Sequence, residues 1–180
     1  RPLTDYVIRA ALREVAVART RGHDLDVAVN LSPRDLLDPQ LPRTVMALLD
    51  ESGLPVDALQ LEVTEGSVMT DPRRAIELLT ELRDLGIRLA VDDYGTGYSS
   101  LSYLRRLPIH QVKIDKSFVL GLGGRAASAR HGGPGDRSPR IGPDDDGSTG
   151  DEVIVRSTID LGHNLGMTVV AEGVEAGEQH

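Results

Sequence analysis

The chain contains no cysteine and no tryptophan, and its 180 residues include one phenylalanine and four tyrosines. Zero cysteine excludes a disulfide framework and any thiolate metal centre. Scarce aromatics leave the core to aliphatic side chains, which a chain of this length can bury in useful number. Long apolar runs are missing too: no window approaches the roughly 18 continuous apolar residues of a membrane span, and the N-terminus lacks a signal-peptide layout. Basic charge is in deficit, with 20 Lys and Arg against 28 Asp and Glu, a formal net charge of −8. That balance disfavours nonspecific binding to duplex nucleic acid or anionic lipid, and a phosphorylated ligand would need local cations to enter. The five histidines, at 23, 110, 131, 163 and 180, show no metal-ligand spacing and read as surface or helix residues. Together these absences predict a soluble, cytoplasmic protein with no membrane segment and no duplex nucleic acid partner.

What is present is an alternation of helix and strand patterns. Thr4 is placed to cap a helix whose stripe is Ile8, Ala11, Leu12 and Val15, with Gly22 at its end. A strand over Leu25 to Ser32 sets Val27, Val29 and Leu31 on one side and Ala28 and Asn30 on the other. A helix over Pro42 to Glu51 stops at Gly53, and a strand over Leu59 to Glu65 alternates Leu59, Leu61 and Val63 against Gln60, Glu62 and Thr64. Asp71 before Pro72 opens the next helix, which Gly86 closes. The following strand carries Leu89 and Val91 and stops on Asp92 and Asp93, ahead of a glycine turn and a short helix from Ser99 to Leu107. The next strand, Gln111 to Asp115, sets Val112 and Ile114 against Lys113 and Asp115. A helix then begins at Asp151 and ends near Gly166, and the last strand is Met167 to Glu172. Residues 121–150 between them hold glycine, proline, serine and charge with almost no large apolar residue. Such a segment buries too little to offset its ordering entropy, so it is expected to be a flexible, disordered insert.

Alternating helix and strand is the mark of α/β architecture with a parallel sheet. Each of the five strands carries polar residues of one parity near its C-terminal end: Asn30, Glu62 with Thr64, Asp92, Lys113 with Asp115, and Glu172. A parallel α/β sheet is covered on both faces, so these groups must meet one another. The arrangement that converges strand ends on one point is a β/α (TIM-like) barrel with its site at the C-terminal mouth. Adjacent carboxylates such as Asp92 and Asp93 repel, and therefore share a proton, hold a cation, or merely form an acidic turn that caps a helix. An amide oxygen, several carboxylates and no sulfur make a hard-oxygen set suited to Mg²⁺ or Mn²⁺. With a lysine among them, the parts fit metal-assisted phosphodiester hydrolysis. They equally fit a lyase of the enolase type, with the lysine as base.

Five ordered motifs carry a resemblance: Val-Asn-Leu-Ser at 29–32, Leu-Glu-Val-Thr-Glu at 61–65, Asp-Asp-Tyr-Gly-Thr-Gly-Tyr-Ser-Ser-Leu at 92–101, Lys-Ile-Asp-Lys-Ser-Phe-Val at 113–119 and Ala-Glu-Gly-Val-Glu at 171–175. In this order they resemble EAL domains, the bacterial phosphodiesterases of the second messenger cyclic di-GMP. The resemblance implies that Asn30, Glu62 and Asp92 hold one metal, with Asp92 bridging to a second that Asp93 helps hold, so that two Mg²⁺ or Mn²⁺ ions are expected. It implies that Lys113 and Glu172 orient and activate the attacking water in hydrolysis of cyclic di-GMP to linear pGpG. Glu65 resembles the glutamate that anchors the loop 94–100, a region linked in this family to substrate binding and homodimer contact. Asp115 and Glu175 are expected as supporting groups behind the ligands.

Small departures from the family pattern are Tyr94 for phenylalanine, Gly66 for serine and Ala176 after Glu175. The larger departure is that the strand with the Glu-Ala-Leu signature and the final glutamine segment are not among these residues. A full barrel takes about 250 residues, so residues 1–180 are expected to form a single partial EAL domain interrupted by the 121–150 insert. An EAL-like domain that binds cyclic di-GMP or a protein partner without turnover is the alternative reading.

Overall fold

The computed structural model describes residues 2–95, 104–122 and 150–174. Helix α1 (Pro2–Thr20) leads into strand β1 (Val27–Leu31), helix α2 (Leu41–Ser52), strand β2 (Leu59–Thr64), and helices α3 (Glu65–Met69) and α4 (Pro72–Asp84). Strand β3 (Arg88–Tyr94), strand β4 (Gln111–Ile114), helix α5 (Lys116–Gly121), helix α6 (Gly150–Asn164) and strand β5 (Thr168–Ala171) complete the order. The five strands form one sheet in the order β1-β2-β3-β4-β5, and every neighbouring pair is parallel. Consecutive parallel order is that of a β/α barrel wall, whereas a doubly wound sheet reverses its order at a switch point.

Strand alternation sorts the chain into two faces. The outer set, including Val29, Leu31, Leu59, Leu61, Val63, Leu89, Val91 and Val112, is at most 4% exposed and packs into one cluster with Ile8, Leu12, Leu48, Leu79 and Leu82 from the helices. The opposite set is polar: Asn30, Gln60, Glu62, Thr64, Arg88, Asp92, Gln111 and Lys113 share the inner face, with Ala28 and Ala90 among them. Burial of the aliphatic set drives the sheet together. The polar set is left to answer to its own chemistry.

Several local expectations are corrected. Thr4 does not cap α1, because Pro2 already occupies the first turn, where its missing N–H costs nothing. The Thr4 hydroxyl instead donates to Asp35 Oδ1 at 2.9 Å, and Asp35 also accepts from the Ser32 backbone N–H at 2.8 Å. Strands β1, β2, β4 and β5 are each shorter than their alternation suggests, since turn and cap chemistry takes the ends, whereas β3 runs past the expected stop at Asp92 and Asp93 to Tyr94. Thr64, the last residue of β2, also caps α3, accepting from the Ser67 N–H at 3.2 Å, so Glu65 is helical. Asp115 leaves β4 to cap α5, accepting from the Ser117 N–H at 2.9 Å. The edges of the expected insert are helical, Gly121 closing α5 and Gly150 opening α6; 123–149 lie outside the described residues, as do 99–103 of the helix expected at Ser99. Asp71 caps α4 as its sequence context predicts, accepting from the Arg74 N–H at 3.1 Å. His110 is a surface residue built into the sheet, its Nδ1 accepting from the Leu89 N–H at 3.1 Å.

Candidate active site

Lys113 is the centre of the inner face. Its ammonium Nζ lies 2.7 Å from Glu172 Oε1, 3.0 Å from Glu62 Oε2 and 3.1 Å from Asp92 Oδ1. These four side chains come from β2, β3, β4 and the residue just after β5, each at the C-terminal end of its strand. Burial works against the lysine's charge, but the hydrogen bonds to Glu172, Glu62 and Asp92 outweigh it and hold the ammonium well above the ordinary lysine range.

Asp93 reaches the same place by a backbone irregularity. Regular alternation sends consecutive residues to opposite faces, so Asp92 and Asp93 would part. Val91 pairs with Val112 and Tyr94 with Ile114, so β3 has two residues where β4 has one. The extra residue is absorbed at Asp93, whose φ of 53° makes it the sole non-glycine with positive φ among the described residues. Aspartate tolerates that region better than most residues, at a backbone cost on the order of 1 kcal/mol. The bulge re-aims the side chain. One carboxylate oxygen from each of Asp92, Asp93 and Glu172 then lies within 4.8 Å of the others. Burial, and after it the charge of Asp92, pushes the Asp93 carboxyl above the usual carboxylate range.

The surroundings of this cluster are built from the short helices. Asp115, pulled low by the Ser117 hydroxyl and backbone, is hydrogen-bonded to Asp93. Glu65, buried at the start of α3, accepts from the Gly95 N–H at 3.4 Å through Oε2. Gly95 has a φ of 103°, and a Cβ there would stand 2.9 Å from the Phe118 ring, so β3 can leave the sheet here only as glycine. Asn30 pairs in register with Glu62 but is exposed on the outermost strand of the described sheet. Its backbone is thus beside the cluster. Glu175 and residues 96–100 of the expected loop lie outside the described residues.

Four carboxylates, Glu62, Asp92, Asp93 and Glu172, thus gather around one ammonium. One cation cannot balance them, and after burial it is the neighbouring carboxylate charge that raises Asp93. The donors are all oxygen, which suits a hard divalent ion. Sequence reasoning missed Gln60, whose Nε2 lies 3.1 Å from Glu62 Oε1 and 2.9 Å from Gln111 Oε1. The signal was available in its parity, two residues before Glu62 on the same face.

The sequence profile of the EAL domain family matches residues 1–130. This chain belongs to the EAL domain family. Across 177 residues it is 41% identical to an uncharacterized signaling protein of Caulobacter vibrioides, an overlap of 98% of this chain and 19% of that protein. It is 38% identical over 178 residues to the cyclic di-GMP phosphodiesterase NbdA of Pseudomonas aeruginosa, covering 98% of this chain and 20% of NbdA. The chain therefore spans about a fifth of the length of these relatives. Among solved structures it is similar to the PaMucR phosphodiesterase in its c-di-GMP complex, with a TM-score of 0.79 at 32% identity over 99% of this chain and 63% of that one. The EAL domain of Mycobacterium smegmatis DcpA gives a TM-score of 0.79 at 34% identity over 98% of this chain and 70% of that one. The EAL fold, a TIM-like barrel, accounts for the parallel wall and for the position of the cluster at its C-terminal mouth.

Proposed function

We propose that this chain hydrolyses one phosphodiester bond of cyclic di-GMP, giving linear pGpG. The observation that carries the reading is Lys113 held at 2.7–3.1 Å by Glu172, Glu62 and Asp92, beside the bulged Asp93. Asn30, Glu62, Asp92 and Asp93 would hold Mg²⁺ or Mn²⁺, two ions in all; the all-oxygen donor set and the excess of carboxylate over ammonium support this. Bound there, such ions polarise a phosphate and make water a competent nucleophile.

The remaining work falls to the protein's own groups. Lys113 has three donors, and the hydrogen bonds to its carboxylate neighbours favour its charged form, which suits it to place an anionic oxygen. Glu172 is the most open of the lysine's three partners, its side chain 32% exposed against 6% for Glu62 and 13% for Asp92. Among those three it is best placed to meet a water and take its proton. Asp115 supports Asp93, and Glu65 anchors the entry to the loop 94–100, through which a homodimer would form. Glu175 keeps a supporting role on the motif resemblance alone. Residues 1–180 act as a single partial EAL domain around the insert between α5 and α6. A cytoplasmic setting suits a chain without cysteine, and no helix among the described residues is long and apolar enough to cross a membrane.

Release of pGpG from cyclic di-GMP in the presence of Mg²⁺ or Mn²⁺, abolished by Asp92→Asn, is the expected result. Nucleotide binding without turnover would point to a receptor, and no binding at all would remove cyclic di-GMP as the ligand.

A further inference from the structure

Glu62 is the most buried of the four carboxylates, 4% exposed as a residue, and both of its oxygens are engaged. Lys113 takes Oε2 at 3.0 Å and Gln60 takes Oε1 at 3.1 Å. An ionised carboxylate can only accept, so the Gln60 amide must turn its nitrogen toward Glu62. That same nitrogen donates its second hydrogen to Gln111 Oε1 at 2.9 Å, which in turn requires Gln111 to present oxygen. The orientation of the amide is therefore fixed from two sides.

The contact between β2 and β4 has to pass over β3, which lies between them. In register, Ala90 stands between Glu62 on one side and Gln111 on the other. Adjacent strands are about 4.8 Å apart, so β2 and β4 are separated by roughly twice that distance. Two glutamines can span the gap only where the intervening side chain is small, and Ala90 is fully buried beneath them. Gln60, Gln111 and Ala90 together form a brace on the floor of the cluster.

We infer that Gln60 is a positioning residue, which holds the Glu62 carboxylate toward the metal-binding space through an amide that Gln111 orients across Ala90. The inference rests on the reading of the cluster as a divalent-metal hydrolase site. Groups that orient a metal ligand from behind typically change metal affinity 10- to 100-fold when lost.

The test compares wild type with Gln60→Met, which keeps the volume and removes the donor. Two readouts are taken on the full chain: Mn²⁺ affinity from the spin-resonance signal of free Mn²⁺, and the metal-free crystal structure. The expected result is affinity weaker by roughly tenfold and a Glu62 carboxylate turned away from its wild-type place. Affinity within twofold of wild type, with Glu62 unmoved, overturns the inference. Failure of wild type to bind Mn²⁺ would instead remove the metal reading, and the place of Glu62 in Gln60→Met would still decide the positioning role. Should Gln60→Met not fold, Gln111→Met and Ala90→Val interrupt the same brace and are expected to displace Glu62 in the same way.

Discussion

Replacing Lys113 by methionine tests the electrostatic premise most sharply. The lysine side chain is 16% exposed, and its partners Glu62, Asp92 and Glu172 are 6%, 13% and 32% exposed, so solvent screens the cluster poorly. Removing one partner from a buried ionic group costs about 3–5 kcal/mol. A ceiling of about 4 kcal/mol at pH 7 also applies, because a stranded carboxylate can escape its repulsion by taking up a proton. Lys113→Met is therefore expected to lose about 3–4 kcal/mol of unfolding free energy, measured by urea denaturation in the presence of a chelator. A divalent cation placed among the same carboxylates would replace the missing charge, so saturating Mg²⁺ or Mn²⁺ should recover most of the loss. Activity should stay absent, since the metal restores charge balance and not the ammonium donors. A variant as stable as wild type in chelator, or one whose stability ignores the metal, would refute the claim that uncompensated carboxylate charge dominates this site.

Three further outcomes follow from the packing and the caps. Gly162 of α6 is buried against Val169, and an added Cβ there would overlap the valine Cγ2. Gly162→Ala should destabilise by about 1–2 kcal/mol, overpacking outweighing the helix propensity gained, and Val169→Ala in the same chain should relieve it in a double-mutant cycle. Thr64→Ala removes the cap of α3 and should cost about 1 kcal/mol by thermal denaturation, with a fall in activity as Glu65 loses its place. Asp26 is held below the usual carboxylate range, first by its hydrogen bond from Arg88 and against a smaller burial effect. Its contribution is present above the unfolded-state value and lost as pH falls through the folded one. Because the pair is exposed, Asp26→Asn should cost less than about 1 kcal/mol at neutral pH, with the difference closing in acid.

The inner and outer faces of the sheet were legible from alternation alone, because the period of two is set by the pleat. Leu59, Leu61 and Val63 against Gln60, Glu62 and Thr64 appear in the structure as they read in the sequence. The same rule misleads at Asp93, where a bulge that alternation cannot reveal brings two consecutive carboxylates to one site. Helices α3 and α5, of five and six residues, are too short to show a 3.6-residue stripe, and their caps at Thr64 and Asp115 read instead as strand ends. Thr4 looked like a cap for lack of any sign that its hydroxyl had a tertiary acceptor in Asp35. Gln60 was visible as a polar residue of the right parity. Its reach across Ala90 to Gln111 depends on strand order, which one strand's pattern does not contain.

Anomalous diffraction from crystals of the chain soaked in Mn²⁺ addresses the central claim directly. Manganese peaks are expected within coordination distance of carboxylate oxygens of Asp92, Asp93 and Glu62, with Lys113 still at its post and Asp92→Asn erasing the peaks. Peaks elsewhere on the molecule, or none at this cluster under saturating Mn²⁺, would contradict it.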